Sequence, residues 1–190
     1  MEVDDALEKG PRENADPDAL VLLIVSDNHM KKDGLASVLA RYADEVDYFL
    51  HCGDSNLEHN DSVMRPFICV KGNTDVMQQY PEDAVVPLLN GQNVLIVHGH
   101  RHRVSINTDE LLKAASLYQS EPEILLYGHT HCVDVQLRDG RLIVNPGSIS
   151  SPRDGIVPTY AKLLITPEAY DVQIFNAKTH EPFKAFQFQR

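Results

Sequence analysis

Apolar runs of strand length recur along the first two thirds of the chain, and five of them stop at a cluster of Asp, Asn or His. They are "LLIV" before "SDNH", "YFLH" before "CGD", "FICV" before "KGNTD", "VLIV" before "HGH" and "ILLY" before "GHTH". Residues 19–27 (ALVLLIVSD) are continuously apolar up to their end, which predicts a strand buried on both faces. Residues 33–42 (DGLASVLARY) place Leu35, Val38, Leu39 and Tyr42 on one helical stripe, with Asp33 as the expected N-cap. Residues 47–54 and 66–73 read as two more strands, with a short helix expected between them.

Residues 84–100 predict a strand, an Asn-Gly turn and a second strand. Residues 107–119 open on Asn107 or Thr108 as a cap and set Leu111, Leu112, Ala115 and Leu117 along a helix. The strand in "EILLYGHTH" (123–131) is followed by a hairpin turning at Asp139-Gly140 and by another hairpin over 159–177. Strands and helices alternate early and hairpins dominate late, so the expected class is α/β with a mixed sheet system.

Length allows one domain with a substantial core, expected over 19–190. Residues 1–18 have no apolar period and hold seven acids against two bases, so they read as a mobile acidic lead-in. The net charge of −11 excludes a protein that tracks long nucleic acid or an anionic membrane through its overall field. No apolar run reaches membrane-spanning length and the N-terminus shows no signal-peptide pattern. Cys52, Cys69 and Cys132 are odd in number and lack CxxC spacing, which points to a reducing, cytoplasmic compartment.

In open α/β sheets, ligands bind outside the carboxyl ends of the strands. The five runs would therefore bring Asp27, His29, Asp54, Asn73, Asp75, His98, His100, His129 and His131 to one edge. Carboxylate, imidazole and amide oxygen without thiolate suit Mn, Fe or Zn. Two ions sharing a carboxylate would use about seven or eight such groups, too many for one closed zinc site. Asp75 reads as a residue that orients a neighbour, His51 as a satisfied core histidine, and His102 as exposed. Arg153 follows the "NPGS" turn, where it could meet a substrate phosphate or simply be solvated.

The ordered set Asp27-Asn28-His29, Gly53-Asp54, Gly72-Asn73, His98-Gly99-His100 and Gly128-His129-Thr130-His131, with "NPGSIS" at 145–150, resembles the calcineurin-like metallophosphoesterases. The resemblance runs from about residue 20 to residue 176 and points to the small single-domain bacterial and archaeal phosphodiesterase branch. It implies an αββα sandwich of two mixed β-sheets flanked by helices, with two divalent ions per chain. Manganese is the expected metal, with Fe, Zn, Ni and Co as alternatives. By resemblance Asp27, His29 and His131 would hold the first ion, Asn73, His98 and His129 the second, and Asp54 would bridge.

The implied chemistry is in-line attack of a metal-bridging hydroxide on a small phosphodiester, with Asp54, Asn73 and His100 as catalytic residues. Asn73, His100 and Arg153 are the expected substrate contacts. Many relatives follow the Gly-Asn pair with a His that can protonate the leaving group. Here that position is Thr74, which cannot act as a general acid near neutral pH, so His100 is the candidate in its place. The alternative from another class is a non-catalytic scaffold of the same fold, like the retromer small subunit, and the ligand positions, all filled, favour catalysis. A small phosphoester is the expected partner. The edge hairpins leave a homo-oligomer open.

Overall fold

In the computed structural model, which describes residues 19–190, β1 (Leu20–Val25) is buried end to end because it divides two cores. Leu20, Leu22 and Ile24 face one core while Val21, Leu23 and Val25 face another, the period-2 alternation of a pleated strand. The acidic lead-in expected over 1–18 lies outside the described residues.

The first sheet adds β2 (Tyr48–His51), β3 (Phe67–Cys69), β9 (Thr159–Ile165), β10 (Ala169–Asn176) and β11 (Pro182–Gln189), in the order β11-β10-β9-β1-β2-β3. The second contains β4 (Asp83–Pro87), β5 (Asn93–Val97), β6 (Ile124–Leu126), β7 (Val133–Arg138) and β8 (Arg141–Pro146), in the order β4-β5-β6-β8-β7. β1, β2 and β3 run parallel to one another, as do β5, β6 and β8, and the remaining pairings are antiparallel.

Leu22, Ile24, Leu50, Ile96, Ile124, Leu142 and Leu163 fill the space between the sheets. Helix α1 (Asp33–Tyr42) covers the outer face of the first sheet through Leu35, Val38 and Tyr42, packed with Leu23, Val25 and Phe49. Helix α2 (Asp109–Ala115) covers the second through Leu111, Leu112 and Ala115, packed with Leu95, Leu125 and Ile143. This is the expected αββα layering, with one helix on each outer face. Asp139 and Gly140 both take positive φ, 51° and 75°, as a type I′ hairpin turn requires.

Four local expectations change. No helix separates β2 from β3, where turns cover most of 59–66 and only Leu57 and Met64 are buried apolar anchors. Two anchors seven residues apart give no continuous stripe to hold a helix against the sheet. Asp33 is the first residue of α1 rather than its cap; Lys32 occupies the cap and makes no side-chain cap bond. Helix α2 stops at Ala115, with the Ser116 hydroxyl turned back to Leu112 O, so Leu117 leaves the apolar stripe and is 85% exposed. His102 is half-buried rather than exposed.

β11 lies beyond the elements expected from sequence. Phe186 and Phe188 half-cover the core edge and alternate with exposed Gln187 and Gln189, whereas Phe183 at the start of the strand is 47% exposed. Among the described residues, no helix is long and apolar enough to cross a membrane.

Candidate metal centre

The carboxyl ends of β1, β2, β3, β5 and β6 meet on one side of the sandwich. They deliver Asp27 and His29, Asp54, Asn73, His98, and His129 and His131, the seven expected ligand positions. Asp27 Oδ1 is 3.2 Å from His131 Nε2 and 4.0 Å from His29 Nε2. The two Nε2 atoms are 3.3 Å apart. Asn73 Oδ1 sits 3.1 Å from His98 Nε2 and 3.0 Å from His129 Nδ1. Between these two groups, Asp54 Oδ2 is 3.4 Å from His98 Nε2 and 4.0 Å from His29 Nε2.

The hydrogen bonds behind the rings decide which nitrogens carry lone pairs. His98 Nδ1 donates to Cys52 O at 2.7 Å, and His131 Nδ1 donates to Ser151 O at 2.6 Å. A carbonyl only accepts, so each neutral ring keeps its Nε2 lone pair pointing into the cluster. Lone pairs thus converge where hydrogen-bond donors are scarce. Asp27 Oδ1 shows the consequence, being buried with no hydrogen-bond partner.

A buried carboxylate oxygen in that state is costly unless a cation meets it. Asp27, His29 and His131 each offer one ligand atom within 4.8 Å of the others, and so do Asp27, Asp54 and His98. The donor set therefore fits divalent metal binding.

The electrostatics of the cluster point the same way. Burial pushes the Asp54 carboxyl up, but the hydrogen bond and charge of His98, with the Thr74 amide, hold it well below the ordinary carboxylate range. His131 is raised, chiefly by its pairing with Asp27. Burial lowers His98, yet Asp54 and Asp27 bring it above its ordinary value. His129 and His100 are lowered by burial and by the other imidazoles. Protons therefore gather where the two carboxylates lie, the places a cation would take.

Backbone strain concentrates here. Asp27, His29, Asp54, His129 and His131 have φ of 56°, 44°, 56°, 68° and 59°, so five of the seven positions are left-handed without being glycine. Each costs on the order of 1–3 kcal/mol and persists only because the surroundings impose it. The conformation turns the chain sharply at each strand end.

The glycines within the motifs have a different purpose. A Cβ on Gly72 would fall onto Asp54 Oδ1 and the Asp54 amide, and one on Gly128 would fall onto Ser26 Oγ. The ligand loops approach too closely for any side chain there.

Three residues outside the expected ligand set hold the loops together. Asp75 accepts from the amides of Asp54 and Gly72, both at 2.8 Å, and from the amide of Asn56 at 2.6 Å. It orients neighbours, as its sequence position suggested. Asn56 contacts His29 Nδ1 through Oδ1 at 3.2 Å and donates through Nδ2 to Thr74 O at 2.6 Å. Ser148 donates to Asp27 O at 2.8 Å and accepts from the Ser150 and Ser151 amides.

The "NPGSIS" segment is thus a clamp on the Asp27 and His131 loops, and Asn145 extends it to Gly128 O at 2.9 Å. Nothing in the sequence marked Asn56, because its effect comes entirely from a long-range contact. His51 is fully buried, with Nε2 2.9 Å from Asn28 Oδ1 and Nδ1 accepting from the Gly53 amide, the satisfied core histidine expected.

His100 is half-buried beside His98 and His129, with ring centroids at 5.4 and 6.1 Å, and its Nδ1 has no hydrogen-bond partner. Thr74 does not face the cluster with a free hydroxyl; its Oγ1 donates to Asn56 Oδ1. Arg153 is exposed, its amide donates to His131 O, and its charge lowers both His129 and His131.

The model of the calcineurin-like phosphoesterase superfamily domain matches residues 20–167. The chain belongs to that superfamily. It is 31% identical over 163 residues to the probable metallophosphoesterase YsnB of Bacillus subtilis, across 84% of this chain and 93% of that one. A conserved protein from Streptococcus pneumoniae TIGR4, a predicted phosphoesterase, superposes with a TM-score of 0.83 at 31% identity, covering 90% of this chain and 98% of the other.

Vps29 of Entamoeba histolytica, complexed with Zn²⁺, shares the fold with a TM-score of 0.70 at 22% identity, over 90% and 99% of the two chains. All seven expected ligands and the clamp around them lie within the span that the calcineurin-like model matches.

Proposed function

We propose that this calcineurin-like phosphoesterase is a metal-dependent phosphodiesterase with a dinuclear centre. Asp27, His29 and His131 would hold one ion, Asn73, His98 and His129 the other, and Asp54 would join them. The observation that carries this reading is Asp54 Oδ2, a single carboxylate oxygen that looks toward His98 on one side and His29 on the other. Two divalent ions there would neutralise phosphate charge and lower the pKa of water.

The chain's own residues set the rest. Asn73 presents its amide beside the place a phosphate oxygen would occupy. His100 borders the same half-site, where burial and the neighbouring His98 and His129 lower its pKa, so its imidazole exchanges a proton more readily by accepting one than by donating it. Thr74, tied to Asn56, offers no such exchange. Esters whose leaving groups need little protonation should therefore react best, and that favours activated diesters over alkyl monoesters. Manganese is the metal we assign, on the mixed carboxylate, amide and imidazole set; zinc is the competitor, and it is bound by the Vps29 relative.

The deciding experiment strips the protein with chelator, restores Mn²⁺, and compares hydrolysis of bis(p-nitrophenyl) phosphate with that of p-nitrophenyl phosphate. Metal-dependent turnover, faster on the diester, is expected. The fold shared with Vps29 favours one other reading, a protein-binding scaffold. That reading takes over if neither ester is cleaved with Mn²⁺, Fe²⁺, Co²⁺, Ni²⁺ or Zn²⁺.

A further inference from the structure

Three exposed large apolar side chains follow ligand positions of the metal centre in the chain. Met30, which follows His29, is 67% exposed; Val76 and Met77, which follow the Asn73-Thr74-Asp75 turn, are 74% and 80% exposed. Single exposed apolar residues need no explanation, but a cluster at the rim of a reactive site does. These three are brought together by hydrogen bonds rather than by sequence. The Met30 amide donates to Ser55 O, and the next residue, Asn56, contacts His29 and donates to Thr74 O. The Val76 amide returns to Thr74 O, and Gln78 Nε2 donates to Asn56 O. Three ligand loops are thereby stitched into one lip with apolar tips.

The lip carries little to receive a second anionic group. From Gly72 to Gln78 the one charged residue is Asp75, which is buried and already accepts three amides. The cation next to Met30, Lys31, turns its Nζ to Ser150 O at 3.4 Å and Ser151 Oγ at 3.5 Å, and Arg153 is joined through its amide to His131 O, so both cations lie toward the His131 loop. The rim is therefore cationic where a phosphate would enter and apolar where the rest of the ester would lie. Methionine suits such a surface because its thioether stem adapts to flat or chain-like groups.

We propose that the Met30–Val76–Met77 lip binds the non-reacting arm of the substrate, and that the arm is apolar: an aryl or alkyl group on a singly charged phosphodiester, not a nucleoside polyphosphate. This rests on the phosphodiesterase reading above and names the substrate class for it. A phenyl ring covering about 60 Å² of apolar surface is worth about tenfold in affinity.

The test uses two diesters with one leaving group, methyl p-nitrophenyl phosphate and phenyl p-nitrophenyl phosphate, so that only the non-reacting arm changes. The triple variant Met30→Gln, Val76→Thr, Met77→Gln is compared with wild type, both loaded with Mn²⁺ and both assayed for metal content. The ratio of kcat/KM for phenyl over methyl should fall about tenfold in the triple variant, mainly through KM. In parallel, inhibition by phenylphosphonate should weaken while inhibition by methylphosphonate holds.

An unchanged ratio, with turnover persisting on both esters, overturns the lip and leaves the phosphodiesterase standing; the apolar tips would then belong to a surface the substrate does not meet. Absence of turnover by wild type on both esters, whichever divalent metal is supplied, overturns the phosphodiesterase and the lip with it.

Discussion

Substituting Gly72 by alanine tests the centre without touching any proposed ligand. The new Cβ would occupy the space of Asp54 Oδ1 and the Asp54 amide, and it would stand 2.7 Å from Asp54 Cγ. Carbon contacts are ordinarily about 3.5–4.0 Å, so one loop must retreat by roughly 1 Å. Neither loop is free to do so. The amides of Gly72 and Asp54 share Asp75 Oδ2 at 2.8 Å, and the Thr74 amide holds Asp54 Oδ1 at 2.8 Å.

Overpacking costs about 1–3 kcal/mol, and one compromised hydrogen bond adds about 1 kcal/mol. A total of about 2–4 kcal/mol corresponds to a fall in Tm of roughly 5–15 °C for a domain of this size. The larger effect is on metal, because the displaced group is the proposed bridge. Loss of an orienting contact alone commonly weakens metal binding about 10–100-fold, and displacing the carboxylate itself should do at least that.

Mn²⁺ titration by calorimetry, with metal content by mass spectrometry and melting in chelator, separates the two effects. Gly140→Ala is the control. Its Cβ meets nothing within 4 Å, so only the strain of φ 75° remains, about 1 kcal/mol, with metal binding intact. Wild-type affinity and stoichiometry in a folded Gly72→Ala protein would refute the bridging position of Asp54.

Other consequences follow from the same contacts. Asp75→Ala leaves three amide donors without their acceptor at about 1 kcal/mol or more each; chemical denaturation should show a loss of about 3–5 kcal/mol, and a loss under 1 kcal/mol would contradict the clamp. Ser148→Ala should weaken Mn²⁺ binding about 10–100-fold, read by the same titration, and cost about 1–3 kcal/mol of stability in chelator because two amides lose their acceptor. Arg103→Gly should stabilise by about 1 kcal/mol, since Arg103 is exposed with φ 52°; a destabilised variant would show that its side chain matters more than its backbone.

Burial pushes His51 down from about 6.5 to about 4. Its neutral form is therefore favoured in the fold, and this contribution is complete above pH 6.5 and lost as pH falls toward 4. At 1.36 kcal/mol per unit that is about 3 kcal/mol. His51→Gln, which keeps a donor for Asn28, should flatten the stability profile across that window; an unchanged slope would place the titration elsewhere.

The candidate ligands were legible in sequence because each lies one to four residues past an apolar run, and parallel strands bring their carboxyl ends to one side. That argument needs only strand direction, and β1, β2, β3, β5 and β6 supply it. The sixth parallel end, that of β8, carries Asn145 and Ser148, which clamp rather than ligate.

What sequence withheld depends on contacts between loops. Asn56 and Asp75 are 19 residues apart, and their joint hold on three ligand loops leaves no local trace. The strained φ at five ligand positions is equally invisible, since Asp and His reach that conformation more often than most residues but the sequence does not mark where. β11 escaped for a third reason. Its Phe-Gln alternation is confined to 186–189, while Pro182, Phe183, Lys184 and Ala185 at its start follow no period of two.

These hidden features restrain a centre dense in strain and in converging lone pairs. The left-handed turns at Asp27, His29, Asp54, His129 and His131 would each relax if their loops were free. Asp75 and Ser148 bind the loops through backbone groups, while Asn56 adds a contact to the ring nitrogen of His29 that faces away from Asp27. A preassembled cluster loses little conformational freedom when cations arrive, which favours tight binding. It also fixes the geometry of the rim, because one Asn56 side chain contacts His29 through Oδ1 and donates to Thr74 O, in the turn before Val76 and Met77, through Nδ2. Asn56→Ala should therefore weaken Mn²⁺ binding and the preference for an aryl arm together. Loss of one without the other would show that the ligand loops and the lip are not a single device.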